Sequence, residues 1–256
     1  MEKILFRKRR KEFVEDLGRE VTIVKPANYF VTNTTKDFHT KEGIITKEEL
    51  GKIGKITTKF NKEFSIFEPS FVDRYKRIKR LAQIIPLKDI GFIFSQTIPR
   101  KDSIVLEAGS GSGALSLFLA NFVKQIYSYE IVQEHQDVVK ENMKTLGITN
   151  IELKFQNIYD GIDEKNVDLI CLDLPEPWKV VPHAKKALKI GGFIVSYSPC
   201  IPQVQDFVNE ITKQEEFMHL KTVEIIEREW EIDGRKVRPK SKSSIHSGFL
   251  SFCRRI

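Results

Sequence analysis

From residue 81 to the C-terminus, short apolar runs alternate with longer segments in which apolar residues recur every three or four positions. The short runs have the length of buried strands, and the longer segments have the periodicity of amphipathic helices. Two final apolar stretches, at 219–232 and 247–255, have no helix-length segment between them. Strands separated by helices form a parallel sheet, whereas a pair without a crossover helix must be antiparallel. The pattern therefore predicts an α/β fold with a doubly wound, mostly parallel seven-stranded sheet.

The individual elements follow from the same pattern. Besides the two closing strands, strands are predicted at 104–109, 125–130, 151–157, 167–173 and 193–199, and helices at 87–98, 114–122, 132–147, 179–192 and 201–214. The glycine at 147 and the pair at 191–192 are read as helix stops.

The first 65 residues have a different pattern, rich in β-branched and aromatic residues and interrupted by Gly and Asn, with one short helical turn in the loop 41–55. We therefore predict two domains, a small β-rich domain at 1–68 and a main domain at 69–256. The segment 71–83 has apolar residues at helical spacing, which predicts an amphipathic helix at the join. Its basic face is either solvated or in contact with phosphates.

The composition is that of an ordinary globular protein, with 41% apolar and 30% charged residues. No apolar run approaches the roughly 20 residues that cross a bilayer, and the N-terminus has no apolar segment typical of a secretory signal. The three cysteines lack the spacing of metal ligands. We expect a cytoplasmic protein with reduced thiols, no metal and no contact with a membrane.

The net charge of +7 is unevenly distributed. Residues 1–80 carry 20 Lys and Arg against 12 Asp and Glu, and residues 228–256 carry 8 against 3, whereas residues 81–227 carry 14 against 20. Such basic segments are either ordinary solvated surface or hold a polyanion such as RNA over the acidic middle. Within the last segment, the insert 235–242 is polar and basic, which is typical of an RNA-facing loop or of a mobile hairpin.

The segment 103–113, SIVLEAGSGSG, joins a predicted buried strand to a predicted helix through three glycines. A strand, a glycine turn and a helix in this order form the nucleotide-binding corner of doubly wound sheets. The glycine spacing GxGxG differs from the dinucleotide pattern, and Glu107 would repel a pyrophosphate while suiting a cationic ligand. S-adenosylmethionine (SAM) is such a ligand. A purely structural glycine turn and a NAD or FAD site are the alternatives.

Acidic and amide side chains end the neighbouring strands. Glu130 closes the second strand, where an acid can bind a ribose diol. His135, on the helix that follows, either borders the cofactor or lies on the surface. Asn157, with Asp160 as the alternative, follows the third strand, where it could meet the adenine of the cofactor.

Asp173 begins the segment DLPEPW, which follows the fourth strand, at the expected switch point of the sheet. Its two prolines stiffen the loop. A carboxylate there can accept a hydrogen bond from the exocyclic amine of an adenine base and balance positive charge that develops during methylation. Trp178, at the end of the segment, either stacks on a base or packs as part of a lid.

Together these segments resemble the tRNA (adenine-N1)-methyltransferase family that modifies the T-loop at adenine 58, and in archaeal members also at adenine 57. The resemblance covers essentially the whole chain and is carried by RYKRIKRLAQ-IIPLKD, LEAGSGSGALSLFLA, DLPEPW, PCIPQVQ, REWEI and RP…HSGFL. The glycine loop is shared by most class I methyltransferases, whereas DLPEPW and the REWE…RP…H run are specific. Family members often have Asp at the position of Asn157, and many have an aromatic residue or His where this chain has Pro86.

The resemblance implies a class I, Rossmann-like SAM-dependent enzyme that acts on tRNA and forms a homotetramer. It also implies that Asp173 is the catalytic residue that holds the target adenine. The predicted cofactor-binding residues are Gln83, Glu107, Gly109, Ser110, Gly111, Ser112, Gly113, Ala114, Leu115, Glu130, His135, Asn157 and Asp173. Two alternatives stay open: a non-catalytic RNA-binding scaffold subunit, as in the eukaryotic enzyme, and a methyltransferase for small molecules or proteins.

Overall fold

The structure is a computed structural model that describes residues 1–58, 60–81, 83–241 and 246–256. Contacts within it divide the chain into two compact units, Met1–Arg77 and Ile78–Ile256. This division lies later than the predicted boundary after residue 68. The reason is that residues 69–77 contact the N-terminal strands: Arg74 pairs with Glu2 at 2.8 Å, and the Arg77 guanidinium lies 4.4 Å from the ring centre of Phe30.

The first unit is built mainly from strands, as its β-branched and aromatic residues predict. Its elements are β1 (Lys3–Arg7), β2 (Arg10–Val14), β3 (Arg19–Val24), β4 (Ala27–Val31), β5 (Phe38–Thr40), β6 (Gly43–Ile45), α1 (Lys47–Leu50), β7 (Gly54–Thr57), β8 (Glu63–Phe67) and α2 (Phe71–Tyr75). Four strands form an antiparallel sheet in the order β4-β1-β8-β7. One face of this sheet buries Leu5, Phe64 and Ile66 in a core of their own.

The short helical turn predicted in the loop 41–55 is α1. Thr46 accepts a hydrogen bond from the Glu49 amide, and the Glu49 carboxylate accepts one from the Thr46 amide, which forms a capping box.

The helix predicted over 71–83 is wrong for residues 76–81 and 83, because α2 ends at Tyr75, and residue 82 lies outside the described residues. Past that point the backbone bonds to side chains of the second unit's own elements. The Lys79 amide donates to Asn142 Oδ1 at 2.8 Å, and the Leu81 amide donates to Ser112 Oγ at 3.0 Å. These groups therefore cannot make the i to i−4 bonds of a helix.

The second unit alternates strands and helices. Its elements are α3 (Leu87–Thr97), β9 (Ile104–Ala108), α4 (Ala114–Leu119), β10 (Gln125–Glu130), α5 (Gln133–Leu146), β11 (Ile151–Phe155), β12 (Val167–Leu172), α6 (Val181–Ala187), β13 (Leu188–Ser198), α7 (Ile201–Lys213), β14 (Phe217–Glu224), β15 (Trp230–Asp233), β16 (Lys236–Pro239) and β17 (Phe249–Arg255).

Seven of these strands form one sheet in the order β11-β10-β9-β12-β13-β17-β14. Strands β9 to β13 are parallel, and β17 is antiparallel to both of its neighbours. The strand order reverses between β9 and β12, which is the switch point where ligands bind in doubly wound folds. The predicted fold class is confirmed.

Two predicted boundaries, the end of the helix 179–192 and the end of the strand 219–232, were wrong because pairing between strands determines where these elements end. The glycines Gly191 and Gly192 do not stop a helix; α6 has already ended at Ala187, and both lie inside β13. The register of β13 against β12 shifts there, so the glycines accommodate an irregularity in the strand.

The stretch 219–232 is likewise not one strand. β14 ends at Glu224, which lies opposite Phe249, the first residue of β17. Beyond Glu224 the chain leaves the sheet, and Trp230–Asp233 pairs instead with Lys236–Pro239 in a separate two-stranded sheet. We call this the β15–β16 ribbon (Trp230–Pro239).

The core of the second unit lies on the faces of the large sheet and includes Leu106, Ile170, Ile194 and Phe207, all fully buried. The three cysteines are free thiols. Within the described ranges, no helix has the length and apolar character required to cross a bilayer.

Candidate functional site

A cavity of about 510 Å³ opens at the carboxyl ends of β9, β10 and β12, at the switch point of the sheet. Most of the residues predicted to bind a cofactor line it. They are Gln83, Glu107, Gly109, Ser110, Gly111, Ser112, Ala114, Leu115, Glu130, His135 and Asp173. The site thus brings together residues from three strand ends, the glycine loop and the segment before α3.

The glycine loop and Asp173 touch backbone to backbone. Gly109 has a φ of +83°, and a Cβ built on it would lie 2.0 Å from the Asp173 carbonyl oxygen. The Asp173 amide in turn donates to the Ala108 carbonyl at 3.0 Å. Only glycine allows this approach, so the end of β12 is held against the loop that follows β9.

Glu107 is a buried residue whose carboxyl group lines the cavity. Its Oε2 accepts from Ser128 Oγ at 2.8 Å, and its Oε1 accepts from the Ser116 amide at 3.3 Å. Burial raises its pKa to about 7, although these hydrogen bonds oppose the shift. A cation bound in the cavity would favour its ionised form.

Glu130 holds the glycine loop at the tip of β10. Its Oε1 accepts from the amides of Ile131 and Val132, both at 2.9 Å, and its Oε2 accepts from the Gly111 amide at 3.1 Å. The ring of His135 approaches the same carboxylate, with Nδ1 3.2 Å from Oε2. His135 therefore belongs to the wall of the cavity.

Asp173 is a mostly buried carboxyl group, and burial raises its pKa to about 6. The loop that carries it is fixed at two further points. The Glu176 amide donates to the Tyr159 hydroxyl at 3.1 Å, and Gln203 Nε2 donates to the Pro175 carbonyl at 2.9 Å. At neutral pH this arrangement presents an ionised hydrogen-bond acceptor on a constrained loop.

Two predicted cofactor residues lie outside the cavity lining. Gly113 directly precedes α4 as its N-cap, with a φ of +78°, and a Cβ there would lie 3.0 Å from Val139 Cγ1. The absence of a side chain at Gly113 therefore lets α5 pack closely against the start of α4. Asn157 Oδ1 accepts from the Tyr159 amide at 3.1 Å, capping a short 3-10 turn. The alternative, Asp160, lies in that turn and also outside the lining.

Several lining residues were not predicted. Besides Gln203, they are Ile84, Ile85, Ile131, Val132, Leu174, Pro175 and Pro199. Pro199 and Gln203 follow the carboxyl end of β13, and segments at that edge face the crevice of a doubly wound sheet. The signal that would have found them is the segment PCIPQVQ (199–205), where the predicted strand ends and the predicted helix begins.

Trp178 is half-buried in the 3-10 turn Pro177–Val180 and does not line the cavity. This position favours packing over stacking on a base.

The basic insert 235–242 forms one strand of the β15–β16 ribbon and the residues that follow it, except that Lys242 lies outside the described residues. Three of its cations pair with acids on or directly before β15. Glu231 pairs with Lys236 at 2.7 Å and with Arg238 at 3.4 Å, and Glu229 pairs with Lys240. The ribbon is therefore less cationic than its basic residues alone suggest.

Comparison with known proteins gives consistent relatives. The model of the family described as tRNA methyltransferase complex GCD14 subunit matches residues 76–248. A tRNA (adenine(57)-N(1)/adenine(58)-N(1))-methyltransferase TrmI from Methanocaldococcus jannaschii is 34% identical, over 88% of this chain and 90% of its own. A tRNA (adenine(58)-N(1))-methyltransferase TrmI from Thermus thermophilus is 31% identical, over 85% of this chain and 88% of its own. The crystal structure of a SAM-dependent O-methyltransferase from Thermotoga maritima matches with a TM-score of 0.78 at 26% identity, over 99% of this chain and 92% of that one.

Proposed function

Since this chain belongs to the TrmI family of tRNA (adenine-N1)-methyltransferases, we propose that it transfers a methyl group from SAM to N1 of adenine 58 in the T-loop of tRNA. The M. jannaschii relative is named for adenines 57 and 58, and the T. thermophilus relative for adenine 58 alone. Mapping the methylated nucleoside in the product tRNA shows whether this chain also methylates adenine 57.

The observation that carries the proposal is the charge of the cavity. Its lining includes the carboxyl groups of Glu107, Glu130 and Asp173, and no lysine or arginine is among its described residues. Such a site disfavours the phosphates of NAD or FAD and suits the cationic methionine portion of SAM. Glu107 and the glycine loop would hold that portion, while Glu130, at the tip of β10, would bind the ribose hydroxyls.

When bound, SAM supplies an electrophilic methyl group. The remaining task of the protein is to hold the target base so that N1 points at that methyl group from about 3 Å. Asp173 would accept a hydrogen bond from the exocyclic amine of the adenine, which orients the ring. The same carboxylate would stabilise the positive charge that the base acquires as the methyl group is transferred.

Further expectations belong to this proposal. The tRNA would bind through the basic terminal segments, residues 1–68 would act as a domain distinct from the methyltransferase domain, and the enzyme would work in the cytoplasm as a homotetramer. Size-exclusion chromatography with light scattering tests the last of these.

The test is methyl transfer from labelled SAM to an unmodified tRNA transcript, with the product nucleoside mapped by mass spectrometry. We expect N1-methyladenosine at position 58. Asp173→Ala should retain the fold and most of the SAM affinity but lose about 100-fold or more in turnover. Asp206→Ala, an exposed residue on α7, is the matched control and should keep full activity.

Other outcomes identify the alternatives. SAM binding without transfer to tRNA would indicate a methyltransferase with another substrate. Neither SAM binding nor transfer would indicate the scaffold subunit. Full turnover by Asp173→Ala would exclude Asp173 as the group that orients the base.

A further inference from the structure

Gln203 lies in the first turn of α7 and lines the cavity, although the proposed chemistry assigns it no role. Its side-chain amide is oriented by two contacts. Nε2 donates to the Pro175 carbonyl at 2.9 Å, and Oε1 accepts from Cys200 Sγ at 3.3 Å. The amide thus joins the β13–α7 connection to the loop that carries Asp173.

The contact falls at a point of that loop where the chain has few backbone donors for hydrogen bonds. Pro175 and Pro177 have no amide hydrogen, so neither can donate a backbone hydrogen bond. Among the described residues, the other hydrogen bonds that anchor the loop are those of the Asp173 amide to Ala108 and of the Glu176 amide to Tyr159, and Leu174 packs against the core. The carbonyl that Gln203 holds belongs to the same peptide group as the Glu176 amide, so this peptide is fixed at both its oxygen and its nitrogen.

The backbone at and after Asp173 is therefore held from both sides of the cavity wall. On one side, its own carbonyl packs against Gly109 in the glycine loop. On the other, Pro175, two residues later, is held by Gln203. Without the Gln203 contact, this peptide keeps only the bond from the Glu176 amide to Tyr159, and the backbone that carries the Asp173 side chain is less firmly fixed. A misplacement of about 1 Å in a catalytic group costs about 100-fold in rate.

We propose that Gln203 is a positioning residue that fixes the Asp173 loop through the Pro175 carbonyl and so sets the direction of the Asp173 carboxyl group. This inference rests on the proposed function, because it gives Gln203 its role through Asp173.

The test replaces Gln203 by Met, which has nearly the same length and shape but cannot donate. Gln205→Met is the matched control, since Gln205 is exposed on the same helix. We expect Gln203→Met to lower kcat about 10- to 100-fold. The KM for tRNA, the Kd for SAM from calorimetry and the unfolding temperature should match those of the control.

A double-mutant cycle separates positioning from a structural role. If Gln203 acts through Asp173, Gln203→Met should cause no further loss of kcat in the Asp173→Ala background, because the group that it positions is absent. The inference would be overturned by an unchanged kcat in the single variant, by additive losses in the double variant, or by a raised KM with unchanged kcat. A wild-type enzyme without methyl transfer would overturn the proposed function itself, and this inference with it.

Discussion

A carboxyl group that must accept a hydrogen bond works only while it is ionised, and the burial of Asp173 sets the pH at which this happens. Since burial raises the pKa of Asp173 to about 6, the proton is bound below that pH and the carboxylate can no longer accept from the adenine amine. We expect kcat to be constant above about pH 7 and to fall about tenfold per pH unit well below 6. Single-turnover methyl transfer across pH 5–8 measures this.

The raised pKa of Asp173 affects stability in the opposite direction: kcat increases with pH, whereas the contribution of Asp173 to stability decreases. The folded-state pKa of Asp173 lies above the ordinary value of 3.8, so the folded protein binds more protons than the unfolded chain between about pH 4 and 6. Its contribution to the free energy of unfolding therefore falls as pH rises through that window.

The titratable groups that interact with Asp173 are Glu107 and Tyr197, and burial raises the pKa of both, to about 7 and about 12. The variant Glu107→Gln therefore shows which group causes the fall of kcat at low pH. If the fall remains in this variant, it belongs to Asp173, and if it disappears, it belongs to Glu107.

Gly109 offers a second prediction at the scale of one residue. In Gly109→Ala, the new methyl group would strike the Asp173 carbonyl, and the backbone would keep an unfavourable positive φ. Gly147→Ala is the matched control, because Gly147 has a φ of +69° with open space around its Cβ position. The control should lose about 1–2 kcal/mol of unfolding free energy from backbone strain alone.

We expect Gly109→Ala to lose more than this control in urea denaturation and also to bind SAM more weakly, since the end of β12 must move. Equal losses in the two variants, with SAM affinity retained, would show that the loop tolerates the separation from Asp173.

At the scale of elements, the β15–β16 ribbon leads to a prediction about its internal ion pairs. Glu231 pairs with both Lys236 and Arg238. If the ribbon faces tRNA, Glu231→Gln frees two cations for phosphates, and affinity for tRNA should rise several-fold at low salt with a steeper salt dependence. Glu152→Gln, which breaks a pair with Lys154 on β11, is the control. Filter binding at several salt concentrations measures both variants, and equal affinities would place the ribbon away from the tRNA.

The elements that the sequence predicts well are those whose signals are local. The span 125–130 was predicted and is β10, and the strand, glycine turn and helix of the cofactor corner lie where the glycines and the apolar runs placed them. The helix over 71–83 failed because distant side chains, Asn142 and Ser112, take its backbone amides. Similarly, the length of β14 depends on where its partner β17 begins.

The candidate site divides in the same way. The acids that end β9, β10 and β12 could be predicted, because the position at a strand end is itself a signal of the sheet edge. The contact of Gln203 with Pro175 joins residues 28 positions apart, and no local pattern indicates it. Likewise, nothing in the sequence shows that Asn157 bonds to the backbone of Tyr159 instead of lining the cavity.

At the scale of the whole molecule, the distribution of charge and the charge of the site oppose each other. Residues 81–227, which contain all of the described residues of the cavity lining, carry 14 basic and 20 acidic residues, whereas 1–80 and 228–256 are basic. An RNA that must reach this cavity would be repelled by its surroundings and attracted by the termini. The binding free energy of tRNA would then come mainly from phosphate contacts and the release of their counterions.

Binding of tRNA through phosphate contacts must weaken steeply as the salt concentration rises, whereas binding of SAM must depend little on salt. Between 50 and 200 mM salt, we expect tRNA affinity to fall about 100-fold or more, with a linear dependence of log K on log salt. The Kd for SAM should change little over the same range, because SAM carries no phosphate and releases few counterions. Fluorescence anisotropy with labelled tRNA and calorimetry with SAM, on the same preparation, give the two slopes. Equal and shallow slopes would mean that the basic termini do not hold the RNA, and would favour a substrate small enough to enter the cavity without them.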